Sequence, residues 1–207
     1  MSELELFLWL VPLLVASMVL HELAHAVVAT RLGDPTPREH GRLTLNPLRH
    51  LDPIGTAMFG VTYWLSSFIF GWAKPVIVQP HYFRRPKQDM ALVAVAGPLT
   101  NFVIALLTVG VIVHGPANRD VLQVLVLLWQ VNVVLGIFNL IPIPPLDGSR
   151  IVGAFLDDES YRRWSALDQY GIVFLFALLF VFSRQFSEFM DSALVHTADF
   201  MVTVVGG

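Results

Sequence analysis

Apolar residues gather into five long runs, over residues 6–29, 54–72, 90–113, 121–141 and 166–182, and almost all formal charge falls between them. A membrane-crossing helix needs about 20 mostly apolar residues, so the pattern predicts a chain that enters a bilayer repeatedly. The intervening segments are unevenly charged. Residues 31–53 carry Arg31, Arg38, Arg42 and Arg49, and residues 73–89 carry Lys74, Arg84, Arg85 and Lys87. Both read as cytoplasmic, because Lys and Arg accumulate on that side. Residues 114–120 hold one Arg and one Asp and read as outside. Arg150, Arg162 and Arg163 read as inside, and the tail with Glu188, Asp191 and Asp199 reads as outside.

These assignments agree only if residues 54–72 enter and leave on one face. Gly55, Gly60 and Gly71 can turn the chain, while Val61, Thr62, Tyr63 and Trp64 favour extended structure. The expected fold is therefore an all-α polytopic membrane protein of about four transmembrane helices plus a re-entrant, partly β hairpin after the first helix. An ordinary fifth span over 54–72 is the alternative. Residues 33–53, rich in Pro, Gly and Asn, read as a structured loop with a short strand at residues 42–45. The tail over 185–205 reads as an interfacial amphipathic helix or a frayed end.

Composition agrees with this picture. Of 207 residues, 55% are hydrophobic and 14% charged, against about 25% charged in soluble domains; mean hydropathy is +0.65. These numbers argue against a water-soluble globular enzyme and exclude a disordered or collagen-like chain. A net charge of −3 gives no basic footprint for nucleic acid. The acidic start Met-Ser-Glu-Leu-Glu and the long first run are unlike a cleaved signal peptide. Residues 1–207 read as a single membrane-embedded domain, with a core over about 6–152 and a C-terminal helix and tail over 160–207. With no cysteine, any metal must be held by His, Asp and Glu.

The first run contains His21-Glu22-Leu23-Ala24-His25, an HExxH pattern. On a helix, residues four apart share a face, so two imidazoles can converge on one zinc ion while Glu22 reaches a water bound to it. Ionisable groups in lipid are costly unless paired or ligating. A hydrogen-bonded polar cluster lining a pore is the alternative. Catalytic zinc needs a third ligand and an open position. Asp147, in Ile141-Pro142-Ile143-Pro144-Pro145-Leu146-Asp147-Gly148, is the candidate. It can instead cap the helix that follows. The re-entrant topology brings Asp147 to the same membrane face as His21 and His25; a span over 54–72 would send it to the other.

HELAH and Leu146-Asp147-Gly148 after a proline-rich approach resemble the two hallmark motifs of the site-2 protease family of intramembrane zinc metalloproteases, in its compact prokaryotic branch. Gly97-Pro98-Leu99-Thr100-Asn101 resembles the family's third motif. Gly41-Arg42-Leu43-Thr44-Leu45-Asn46-Pro47 and Gly71-Trp72-Ala73-Lys74-Pro75-Val76 are similar to the compact members. The likeness covers roughly residues 15–152. It implies one zinc per chain on His21, His25 and Asp147, and Glu22 as catalytic acid/base. Asn139 resembles a family asparagine that holds substrate or oxyanion. It further implies a transmembrane protein substrate, a lipid bilayer as surroundings, and a multi-pass location in the cell membrane with the site towards the cytoplasmic leaflet. No PDZ or nucleotide-binding regulatory domain is recognised, and the oligomeric state is not legible.

The other polar residues read blandly. Asn101 and Asn132 suit interhelical hydrogen bonds. His40, His50 and His81 suit solvated loops, with His50 near the site mouth but not ligating, and His114 and His196 suit the surface. Trp9, Trp72, Trp129 and Trp164 suit interface anchoring or lipid-facing packing. A metal or proton transporter would spread its ionisable groups through the membrane depth, whereas here they cluster at one end. A structural adaptor would leave them without use.

Overall fold

A computed structural model describes residues 3–65, 71, 73–115 and 118–206. The chain runs α1 (Glu3–Arg31), α2 (Thr36–Glu39), α3 (Pro53–Leu65), α4 (Pro86–His114), α5 (Arg119–Leu140), α6 (Asp147–Gly153), α7 (Asp158–Ser165), α8 (Gly171–Phe176) and α9 (Ser183–Gly206). Among the described residues, α1, α4 and α5 are long and apolar enough to cross a membrane. Their 29, 29 and 22 residues correspond to about 43, 43 and 33 Å of helix.

Helix α4 is the hub, touching α1, α5, α6 and α9. Two ridges explain its tight fit to α1. Ser17, His21, His25 and Ala29 recur every fourth residue on α1, and Val93, Gly97 and Asn101 do so on α4; all are buried, Ser17, Ala29 and Asn101 almost completely. Such fourth-residue ridges interlock when the side chains are small. Farther along, Ala105, Val109, Val133 and Met201 form the apolar core, flanked by Phe102, Leu106, Trp129, Ile137 and Leu194. Asn118 starts α5 by accepting from the amides of Asp120 and Val121.

The expected β hairpin is overturned. Residues 53–65 are helical, and residues 42–45 are irregular chain with a bend at 43–44, not a strand. Local chemistry accounts for this. The Asp52 carboxylate caps the amides of Ile54 and Gly55 at 3.0 and 2.8 Å, and Pro53 takes the first helical position, where its missing N–H costs nothing. A capped start outweighs the extended preference of Val61–Trp64, which is a weak, context-dependent prior. At 13 residues, or about 20 Å, α3 is shorter than the roughly 30 Å hydrocarbon core. The sole extended pairing among the described residues is the isolated antiparallel bridge Leu51–Ala73, reinforced by Lys74 N–H donating to His50 C=O at 2.7 Å. Gly71 lies against Gly55 and Phe59. Trp72, expected as an interface anchor, lies outside the described residues, as do residues 66–70.

The last apolar run also differs from expectation. Residues 166–182 do not make one straight span: Asp158–Tyr170 and Val173–Val181 meet at 69°. Gly171 packs on Pro145, where an added Cβ would fall 2.6 Å from the ring. The 24-residue α9, neither frayed nor free, instead follows α4 and α5 along their length. Phe186 meets Phe138 near the end of α5, and Val205 C=O accepts from His114 at the far end of α4. The helix expected as one reading of residues 185–205 is present, packed on α4 and α5, with Glu188, Asp191 and Asp199 on its exposed side.

Gly136 of α5 faces the Phe102 ring, which an added Cβ would approach to 3.0 Å. Gly136→Leu should overpack this contact and cost about 1–3 kcal/mol, read as a lowered midpoint of thermal unfolding in detergent.

Candidate metal centre

Helical spacing brings His21 and His25 together on α1, with Nε2 atoms 3.0 Å apart and rings at 83°. Both residues are 7% exposed. Asp147 Oδ2 lies 3.2 Å from His21 Nε2 and 3.3 Å from His25 Nε2. Residues more than a hundred positions apart in the chain thus meet at one point.

The approach to Asp147 is built by its neighbours. The proline-rich stretch over 141–146 ends α5, and Gly148 lets α6 start against it: an added Cβ there would sit 2.2 Å from Leu140 O. Leu146, not Asp147, occupies the N-cap of α6, and the Asp147 carboxylate turns to the imidazoles instead of capping.

These donors fit a metal. Three ligand atoms 3.0–3.3 Å apart match the roughly 3.3 Å edges of a tetrahedron of about 2.0 Å radius, the usual zinc–nitrogen distance. Asp147 Oδ2 is buried without a hydrogen-bond partner, an arrangement that a cation resolves. Gly97 keeps the space clear, since a Cβ there would fall 2.4 Å from His25 Nε2.

The far nitrogens of both rings are fixed. His25 Nδ1–H donates to Val93 C=O at 2.7 Å. His21 Nδ1–H donates to Asn101 Oδ1 at 2.6 Å, Asn101 Nδ2 donates to Asn132 Oδ1 at 2.9 Å, and Asn132 Nδ2 donates to Ser17 Oγ at 2.9 Å. Ser17 O–H finally donates to Leu13 C=O. A backbone carbonyl only accepts, so both ends of the network set the direction of every proton. The Nε2 lone pairs must therefore face the ligand point, as metal-binding imidazoles require. Asn101 and Asn132 are the interhelical bonds expected from sequence; their action on His21 was not legible, because it depends on which helix faces which.

Glu22 borders a cavity of about 510 Å³ with His21, His25, Asn139, Asp147 and Arg150. Its Oε2 accepts from Val76 N–H at 2.9 Å. Asn139 lines the cavity, with Nδ2 donating to Leu135 C=O. Arg150, read from sequence only as a loop charge, pairs with Asp168 at 2.6 Å one turn beyond Asp147. His50 is not a solvated loop residue: it is 1% exposed and its Nε2 donates to Thr44 C=O. It stands outside the metal group, His21, His25 and Asp147. Trp164 donates to Ser149 C=O and Trp129 packs on the core, so neither is a plain lipid anchor.

A buried pair of helical imidazoles, one distant carboxylate and an adjacent glutamate, set in a bundle of membrane-length helices, define a membrane metallohydrolase. The model of peptidase family M50 matches residues 116–183, which include Asp147. YwhC of Bacillus subtilis, which carries the name of a zinc metalloprotease, is 38% identical over 187 residues, covering 86% of this chain and 82% of that protein. Rip2 of Mycolicibacterium smegmatis, similarly named, is 29% identical over 181 residues, 86% of this chain and 69% of its own. MJ0392 of Methanocaldococcus jannaschii, also named a zinc metalloprotease, is 31% identical over 147 residues, 71% of this chain and 34% of its own. No solved structure matches the chain with comparable significance. The chain belongs to peptidase family M50, the site-2 protease family.

Gly97→Ala should place a methyl group at the ligand point and abolish zinc binding while leaving the helical spectrum intact, measured as zinc per chain. Asn132→Ala should release Asn101 and so His21, weakening zinc affinity about 10–100-fold, measured by competition with a chromogenic chelator.

Proposed function

We propose that this zinc metalloprotease hydrolyses a peptide bond within or beside a transmembrane helix of another membrane protein. The observation that carries the reading is the meeting of His21, His25 and Asp147 beside Glu22, at one end of helices long enough to cross a bilayer. His21 Nε2, His25 Nε2 and Asp147 Oδ2 would hold the zinc. When bound, zinc acidifies a water and polarises the scissile carbonyl.

The chain's own groups do the rest. Glu22 takes the proton from the attacking water and returns it to the leaving amine, as a general base and then a general acid. The peptide nitrogen leaves as an amine, and the carbonyl carbon becomes a carboxylic acid whose proton passes to that amine, giving a carboxylate and an ammonium. Val93 and Asn101 hold the imidazoles in the metal-binding tautomer. Asn139, on the cavity wall, is placed to hold the substrate backbone. Met18, Val93, Leu135, Phe138 and Leu175 line the same cavity and thin the water around the reacting groups, which strengthens every electrostatic contact inside.

The lysines and arginines of residues 31–53 and 73–89 support a cell-membrane protein whose site faces the cytoplasmic leaflet. Residues 1–207 act as one membrane-embedded catalytic domain. A helical substrate hides its carbonyls and must unwind to be cut. The strand expected within 54–72 is absent among the described residues, and the non-helical chain over residues 73–79, which borders the cavity, is the nearest backbone to an unwound substrate.

Glu22→Gln should retain one zinc per chain and lower cleavage of a single-pass membrane substrate by about 10²–10⁴-fold, measured with purified protein in detergent. Wild-type cleavage by that variant would remove Glu22 from the mechanism.

A further inference from the structure

Arg42 is a buried charge that the mechanism leaves unused. It is 4% exposed, and no carboxylate pairs with it among the described residues. Burying an unpaired guanidinium is costly, so its contacts should explain its presence. Nη1 donates to Arg49 C=O, and Nη2 donates to Pro75 C=O at 3.2 Å.

Pro75 C=O and Val76 N–H belong to the same peptide group. Its carbonyl end takes a hydrogen bond from the Arg42 cation, and its amide end gives one to the Glu22 carboxylate at 2.9 Å. A trans peptide points these two groups in opposite directions, so the peptide plane lies between cation and anion. Pulling electron density towards the carbonyl strengthens the N–H as a donor, the cooperative effect expected of linked hydrogen bonds in a poorly solvated site. Neighbouring contacts hold the chain on either side of this peptide and leave its own plane to Arg42 and Glu22. Lys74 N–H is held by His50 C=O, and Gln79 N–H by Asp34 Oδ2 at 2.7 Å, with Asp34 fully buried.

We propose that Arg42 is a positioning residue for Glu22, acting through the peptide group between Pro75 and Val76. Glu22 is anchored by Oε2 on the Val76 amide. Loss of Arg42 frees the peptide plane to rotate and releases the carboxylate from its place. The inference rests on the general-base role of Glu22 given above.

The test uses full-length, zinc-loaded protein in detergent. Arg42→Gln should lower kcat about 10–100-fold with KM and zinc per chain unchanged. The Val76 amide should exchange with deuterium at least tenfold faster, both in Arg42→Gln and in Glu22→Gln. Arg42→Lys keeps the charge but cannot span both carbonyls, and should show the same selective fall in kcat, about two- to tenfold. If Arg42→Gln does not fold, the lysine variant and the Val76 exchange in Glu22→Gln decide the matter. Wild-type kcat, raised kcat, or a loss matched by falling zinc content would each overturn the proposal. Unchanged Arg42→Gln beside an inactive Glu22→Gln would sink this inference alone, whereas an active Glu22→Gln would sink the general-base reading.

Discussion

Two imidazole nitrogens and a carboxylate oxygen within about 3 Å of one another, deep in an apolar bundle, form a set that a metal cation would satisfy. Lone pairs facing one point repel, and each polar group has given up water to be there. Much of the architecture answers that demand. Gly97 keeps the point open, Gly148 lets the carboxylate arrive from a different helix, and the small ridge residues bring α4 close enough to α1 to grip both rings from behind.

The hydrogen-bond network from His21 to Leu13 is better understood as a device for direction than for stability. Interhelical hydrogen bonds in membrane proteins contribute only about 0.6 kcal/mol each. Five groups in series nevertheless admit a single proton arrangement, because the main-chain carbonyl at the end can only accept. One ring is thus governed from a separate helix, α5, through Asn132. The other is governed by Val93 alone, and the two rings are held by unlike means for the same end.

The site was largely legible in the sequence; the path of the chain around it was less so. The spacing of His21 and His25 is a local property of one helix, and Asp147 followed from charge asymmetry combined with the need for a third ligand. Residues 54–65 read as partly extended because the β-favouring run Val61 to Trp64 carries more apparent weight than a single capping aspartate, Asp52. The apolar run over 166–182 looked like a span, although its bend and the packing of Gly171 on Pro145 depend on contacts far away in sequence. His50 was taken for a solvated loop residue because burial of a loop cannot be read from the loop itself. Arg42 was merely one of several basic residues until Pro75 was seen beside it.

The depth of the ligand pair along α1 has a consequence for the products. His21 lies about 27 Å along the helix from Glu3 and about 15 Å from Arg31, so it sits about 6 Å from the middle of α1, towards its Arg31 end. On the proposed reaction, a cut at that depth would share the substrate's oily stretch between the two products at roughly two to one.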